Sequence, residues 1–135
     1  MKELISSGLE ALGLTGSVPP DAAEKLAEYG RLLLEKNQVM NLTAIRDEAG
    51  VARLHMLDCA ALLPCADLTG ARTLLDVGTG AGFPGLPLKI LLPQLDVTLL
   101  DSLNKRLVFL EAVCRALGLE ARCVHARAEE AGRQK

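Results

Sequence analysis

One stretch constrains this chain more than any other. In LLDVGTGAGFPGLPL, Leu74 to Leu88, four glycines and two prolines fall within the twelve residues from Asp76 to Pro87. The preceding RTLLDVG (Arg72 to Gly78) reads as a short buried parallel strand that dies into glycine. A strand that feeds a loop stripped of side chains implies close approach to the backbone. LPLKILLPQ then reads as a short helix cut at Pro93, DVTLLD (Asp96 to Asp101) as a second strand, and ARCVHA as a third. Between the last two lies the clearest helix, NKRLVFLEAVCRALG. There Leu103, Leu107, Leu110, Cys114 and Leu117 keep helical spacing, and Gly118 stands where a C-terminal cap belongs. Residues 70 to 135 therefore read β-α-β-α-β, one mononucleotide-binding half of a doubly wound, mainly parallel α/β sheet.

The chain before this point is helical. Residues 2 to 13 form a short helix with Leu4, Ile5, Leu9 and Leu12 on one side. A second helix starts at Pro19–Asp21, carries a stripe of Ala22, Leu26, Tyr29, Leu33 and Leu34, and ends near Asn37. A third runs from about Asp47 to Leu63, stopped by Pro64, with Val51, Leu54, Asp58 and Leu62 on one stripe and His55 beside it. The expected organisation is an N-terminal helical segment, 1–68, and the first half of a Rossmann-like domain, 69–135.

Composition narrows the function classes. Half the 135 residues are apolar, but aromatics are only Tyr29, Phe83 and Phe109, so the core is aliphatic and offers no stacking platform for unpaired bases. A net charge of −2 argues against a free-standing, tight nucleic-acid binder and leaves room for brief contact through a local patch. The four cysteines, Cys59, Cys65, Cys114 and Cys123, lack C-x-x-C spacing, so they read as reduced core residues and no metal site is expected. No stretch resembles a signal peptide or a membrane span, and a soluble cytoplasmic protein is the expectation.

Two cofactor classes compete for the glycine loop. Gly80-x-Gly82-x-x-Gly85, with Asp101 about 20 residues on, satisfies the dinucleotide pattern. Asp76-x-Gly78-x-Gly80-x-Gly82 matches the S-adenosylmethionine signature of seven-strand methyltransferases. An acid just before the first glycine suits the ammonium end of the methyl donor and sits awkwardly beside a pyrophosphate. Pro84 and Pro87 disturb the helix start where a dinucleotide needs free N–H donors, and a long helical segment precedes the loop. These features favour the methyl donor. Asp101, at the end of the second strand, suits ribose hydroxyls, against the plainer reading of an acid at a helix N-terminus. Ala128 and Glu129, after the third strand, fit an adenine edge and a solvated acidic turn equally well. His55 and Asp58, three residues apart on one helix, can touch; residues alone favour a partly buried histidine satisfied by a neighbouring acid over catalysis. Arg46 and Arg53 read alone as solvated charges.

The same loop resembles the first motif of the glucose-inhibited division protein B family, ribosomal small-subunit RNA methyltransferases that modify guanine N7. NLTAIRD, HMLDC, VTLLDSLNKRLVFL and RAEE follow in that family's order and spacing, so the resemblance spans about Tyr29 to Glu130. It implies a Rossmann-like class I methyltransferase fold, S-adenosylmethionine as cofactor, and small-subunit ribosomal RNA or the ribosomal subunit as transient partner. Gly78 and Phe83 would contact the cofactor, Asp101 its ribose, and Ala128 and Glu129 its adenosine end. Asn41, Arg46, His55 and Asp58 would lie near the substrate entrance; Cys59 stands where the family usually carries Ser. Guanine N7 has a free lone pair at neutral pH, so no indispensable acid–base residue is expected. In a doubly wound sheet the first strand is flanked by the second and the fourth, and no fourth strand follows RAEEAGRQK. Leu74, Leu75 and Val77 would line an open apolar edge, and the expectation is an N-terminal portion of a longer enzyme. The alternatives are a nicotinamide-dinucleotide half-domain and an inactive binding or structural fragment.

Overall fold

A computed structural model of the chain describes residues 1–62 and 73–126. Helix α1 (Lys2–Ala11) buries Ile5 and Leu9. Leu4, expected on the same side, is exposed. Helix α2 (Ala22–Met40) buries Leu26, Tyr29, Leu33 and Asn37. It runs past its expected end because Asn37 is not a terminator: its side-chain oxygen is buried against the next loop, where it accepts the Thr43 N–H at 2.9 Å. The helix closes at Asn41, in the left-handed region at φ 50°, a conformation asparagine tolerates.

The third helical region begins with α3 (Glu48–Gly50), whose first turn is capped by the Asp47 carboxylate accepting the Gly50 N–H at 3.0 Å. It continues through a π-helical segment, Val51–Leu57, into α4 (Asp58–Ala60). Val51, Ala52, Met56, Cys59 and Ala60 are buried, whereas Leu54 is 58% exposed and Asp58 and Leu62 also face solvent. The expected stripe of Val51, Leu54, Asp58 and Leu62 holds only at Val51: the buried face is turned toward Ala52, Met56, Cys59 and Ala60, which keep i, i+4, i+7, i+8 spacing of their own.

Three strands, β1 (Thr73–Val77), β2 (Asp96–Asp101) and β3 (Ala121–His125), form a parallel sheet in the order β1-β2-β3. Asp76 pairs with Leu99 and Val77 with Leu100; Leu99 in turn pairs with Cys123 and Asp101 with His125. Helices α5 (Gly85–Leu91) and α6 (Asn104–Leu117) make the two crossovers. α5 is buried along its whole length, and the Lys89 ammonium donates to the carbonyls of Pro93 at 2.7 Å and Leu95 at 2.6 Å just beyond it. α6 buries Leu107, Leu110, Cys114 and Leu117 as expected, and ends at Gly118 with φ 67°.

β1 is not buried on both faces. Asp76 faces α5, while Leu75 is 51% and Val77 46% exposed on the other side. The sheet is thus an apolar layer on the helix side with an exposed apolar strip opposite. The N-terminal helices do not form a separate core: Leu26, Leu33, Val51 and Met56 belong to one cluster with Leu86, Val97, Leu99 and Leu110. The boundary expected at residues 68 and 69 lies outside the described residues. Among the described residues no helix is long and apolar enough to cross a membrane. Helices followed by a β-α-β-α-β parallel sheet make this an α/β, Rossmann-like fold.

Candidate functional site

The glycine loop leaves β1 at the carboxyl end of the sheet and is tied down mainly by its own N–H groups. Those of Gly78 and Thr79 donate to the Leu100 carbonyl at 2.8 and 3.1 Å, and those of Gly82 and Phe83 to the Thr79 carbonyl at 3.0 and 3.3 Å. The Gly80 N–H donates to Asp101 Oδ2 at 2.8 Å. Asp76 closes the loop from below. Its Oδ2 accepts the Thr79 hydroxyl at 2.6 Å and the Gly85 N–H at 3.0 Å. Burial pushes this carboxyl above its ordinary value, against the two hydrogen bonds that favour the charged form.

The glycines divide into two kinds. Gly78 and Gly80 take φ of 68° and 60°, and a Cβ on either would meet nothing within 4 Å, so open space lies over that part of the backbone. Gly82 turns inward at φ 104°, where a Cβ would strike the Tyr29 hydroxyl and lie 2.8 Å from Leu110 Cδ2. Asp101, at the end of β2, is 1% exposed. Its Oδ1 accepts the Leu103 N–H at 2.9 Å, and Arg106 Nη1 lies 3.4 Å from Oδ1 and 3.5 Å from Oδ2.

Phe83 links the loop to the N-terminal helices. Its ring stacks on His55 at 4.3 Å between centroids and 6° between planes, and on Tyr29 at 5.4 Å and 18°. The Tyr29 hydroxyl donates to the Ala81 carbonyl in the loop itself, and burial raises its pKa well above the ordinary value. His55 Nε2 meets the Thr43 hydroxyl at 2.8 Å, and that oxygen also accepts the Ile45 N–H at 3.2 Å. Burial lowers the His55 pKa, with the nearby Asp58 charge opposing, so the ring is held neutral near pH 7. The hydrogen-bond partner of His55 is therefore Thr43, and the expected pairing with Asp58 is reduced to a nearby charge. Asn41 and Arg46 are exposed on the same loop, with Arg46 Nη2 3.5 Å from Asn41 Oδ1.

Asp76, Gly78, Gly80, Gly82, Phe83 and Asp101 thus share one loop and strand end, with His55 packed against it. Asp58 is on the exposed side of its helix. Ala128 and Glu129 lie outside the described residues. Cys59 is buried and its thiol is pushed up to about 12 by burial, so it packs as a small apolar group. Four residues of the site escaped the sequence reading. Tyr29 read only as core, and Thr43 and Thr79 carried no signal apart from their place beside an asparagine and between glycines. Arg106 had one: it falls in the first turn of α6, five residues after Asp101.

The family model of rRNA small subunit methyltransferase G (GidB) matches residues 22–135. Relatives named ribosomal RNA small subunit methyltransferase G include that of Alkaliphilus metalliredigens (strain QYMF), 45% identical over 99% of this chain and 56% of its own length. That of Myxococcus xanthus (strain DK1622) is 46% identical over 95% of this chain and 58% of its own, and that of Clostridium perfringens (strain 13 / Type A) 40% identical over 98% and 55%. The chain spans about half the length of the curated relatives it matches. With a glycine loop and strand-end carboxylate built as described, the chain belongs to the rRNA small subunit methyltransferase G family.

Proposed function

We propose that this chain carries the S-adenosylmethionine-binding half of a cytoplasmic enzyme that methylates guanine N7 in small-subunit ribosomal RNA. The observation that carries the cofactor reading is the use of the loop's N–H groups. Those of Gly78, Thr79, Gly80, Gly82 and Phe83 are engaged within the loop or with β2, which leaves a poor cradle for a pyrophosphate. The loop instead offers open backbone at Gly78 and Gly80 beside two carboxylates, a setting that fits a cationic, phosphate-free nucleoside.

When bound, S-adenosylmethionine supplies a methyl group already activated on a sulfonium. Asp101 would accept ribose hydroxyls, Gly78 and Phe83 would contact the cofactor, and Ala128 and Glu129 would bind its adenosine end. Asp76 braces the loop and sets a negative field near the ammonium group. Guanine N7 needs no general base, so the remaining work is orientation and exclusion of water. Asn41 and Arg46 hold the RNA at the rim, and neutral His55 supports Phe83 rather than moving a proton.

The test is thermal melting of the chain with S-adenosylhomocysteine or with NAD. A ligand specific to the folded state adds about 2.7 kcal/mol at 100 times its dissociation constant. A rise in midpoint with S-adenosylhomocysteine alone is the expected result, and a rise with NAD alone overturns the reading. Transfer of labelled methyl to small-subunit RNA, mapped to guanine N7, tests the substrate.

A further inference from the structure

Asp101 is a buried carboxylate whose acceptor positions can be counted. An ionised carboxylate offers about four. The Gly80 N–H takes one on Oδ2 and the Leu103 N–H one on Oδ1, at 2.8 and 2.9 Å. One position remains on each oxygen. A single nitrogen, Arg106 Nη1, stands between them at 3.4 and 3.5 Å. Those contacts are long for a charge-assisted hydrogen bond, which normally closes to about 2.7–2.9 Å. The Arg106 side chain is 40% exposed, so it has water to turn into, whereas Asp101 has none.

A ribose diol presents two hydroxyls side by side and satisfies a carboxylate by donating one hydrogen bond to each oxygen. We propose that Arg106 is a positioning residue of the cofactor seat, which competes with the ribose diol for the two remaining acceptor positions on Asp101. The guanidinium holds the desolvated carboxylate turned toward the ligand side, and it yields both positions to a ligand that carries vicinal hydroxyls. Ligands without the diol cannot replace it and leave the pair intact. The contact thus filters for intact ribonucleosides at little expense in affinity, because a half-exposed ion pair is weak. The inference rests on the cofactor reading above and adds a residue and a discrimination to it.

The test is calorimetric titration at fixed salt of the chain and of Arg106→Gln and Arg106→Lys with S-adenosylhomocysteine and with its 2′,3′-dideoxy form. Arg106→Gln should bind S-adenosylhomocysteine roughly two- to fivefold tighter than the parent, the scale of a partly exposed ion pair. The dideoxy ligand should show no such gain. Arg106→Lys, which keeps the charge on a shorter, more flexible side chain, should fall between, and it serves alone if Arg106→Gln fails to melt cooperatively. Unchanged or weaker binding of S-adenosylhomocysteine by the variants, with the parent binding normally, overturns the inference and leaves the cofactor reading standing. An equal gain for both ligands also overturns it, since the effect would then be structural. No binding of S-adenosylhomocysteine by parent or variants removes the cofactor reading and the inference together.

Discussion

At Asp76 two donors, the Thr79 hydroxyl and the Gly85 N–H, converge on one carboxylate oxygen under the glycine loop. Burial still dominates and holds the folded pKa above its ordinary value, so the folded state binds that proton more tightly than the unfolded chain does. The group's contribution to stability is therefore full below the unfolded pKa and is lost as pH rises through the folded one. Asp76→Asn keeps an oxygen for both donors and removes the titration. Its melting midpoint relative to the parent should climb as pH rises out of the ordinary carboxylate range, then level off once the parent carboxyl is ionised. A difference that stays flat across the acidic range would show that folding does not shift the Asp76 carboxyl. Asp76 and Asp101 were legible in the sequence because strand-end position and spacing from the glycines are local facts. Tyr29 was not, because its partner Ala81 is 52 residues away and a tyrosine on an apolar stripe looks like any other core residue.

Among the elements, α6 was read almost whole. Its spacing is regular, its buried residues match the expected stripe at Leu107, Leu110, Cys114 and Leu117, and Gly118 closes it. Across Val51–Leu57 two helical stripes fit the spacing, and periodicity does not choose between them. The buried residues Ala52, Met56, Cys59 and Ala60 keep helical spacing, i, i+4, i+7, i+8, as the expected stripe also does, and only the neighbouring elements decide that Met56 rather than Leu54 faces the core. Mutation separates the two faces. Leu54→Gln should change unfolding free energy by no more than about 0.5 kcal/mol, as exposed substitutions do. Met56→Ala should lose roughly 2–5 kcal/mol, the usual result of emptying a packed core position. Urea unfolding of both variants reads the difference, and the reverse ranking would restore the expected stripe. β1 was legible as a strand from its apolar run. Its one-sided exposure depends on which neighbours cover it, and no five-residue stretch encodes that.

For the whole molecule, a sheet with helices packed on one face leaves Leu75 and Val77 exposed on the other. Such strips favour association between chains. Leu75→Lys combined with Val77→Lys should reduce concentration-dependent sedimentation while leaving the melting midpoint nearly unchanged; a large drop in midpoint would mean that the strip is covered in solution. The stack of Tyr29, Phe83 and His55 has a consequence at this scale as well. One aromatic ring of the loop is gripped by α2 and by the π-helical segment, so the front of the molecule and the loop are cut to one pattern. The helical front is therefore not an interchangeable cassette. A chimera that grafts another family's N-terminal helices onto this sheet inherits a loop fitted to rings it no longer has, and it must bring its own Phe83 along with its own helices.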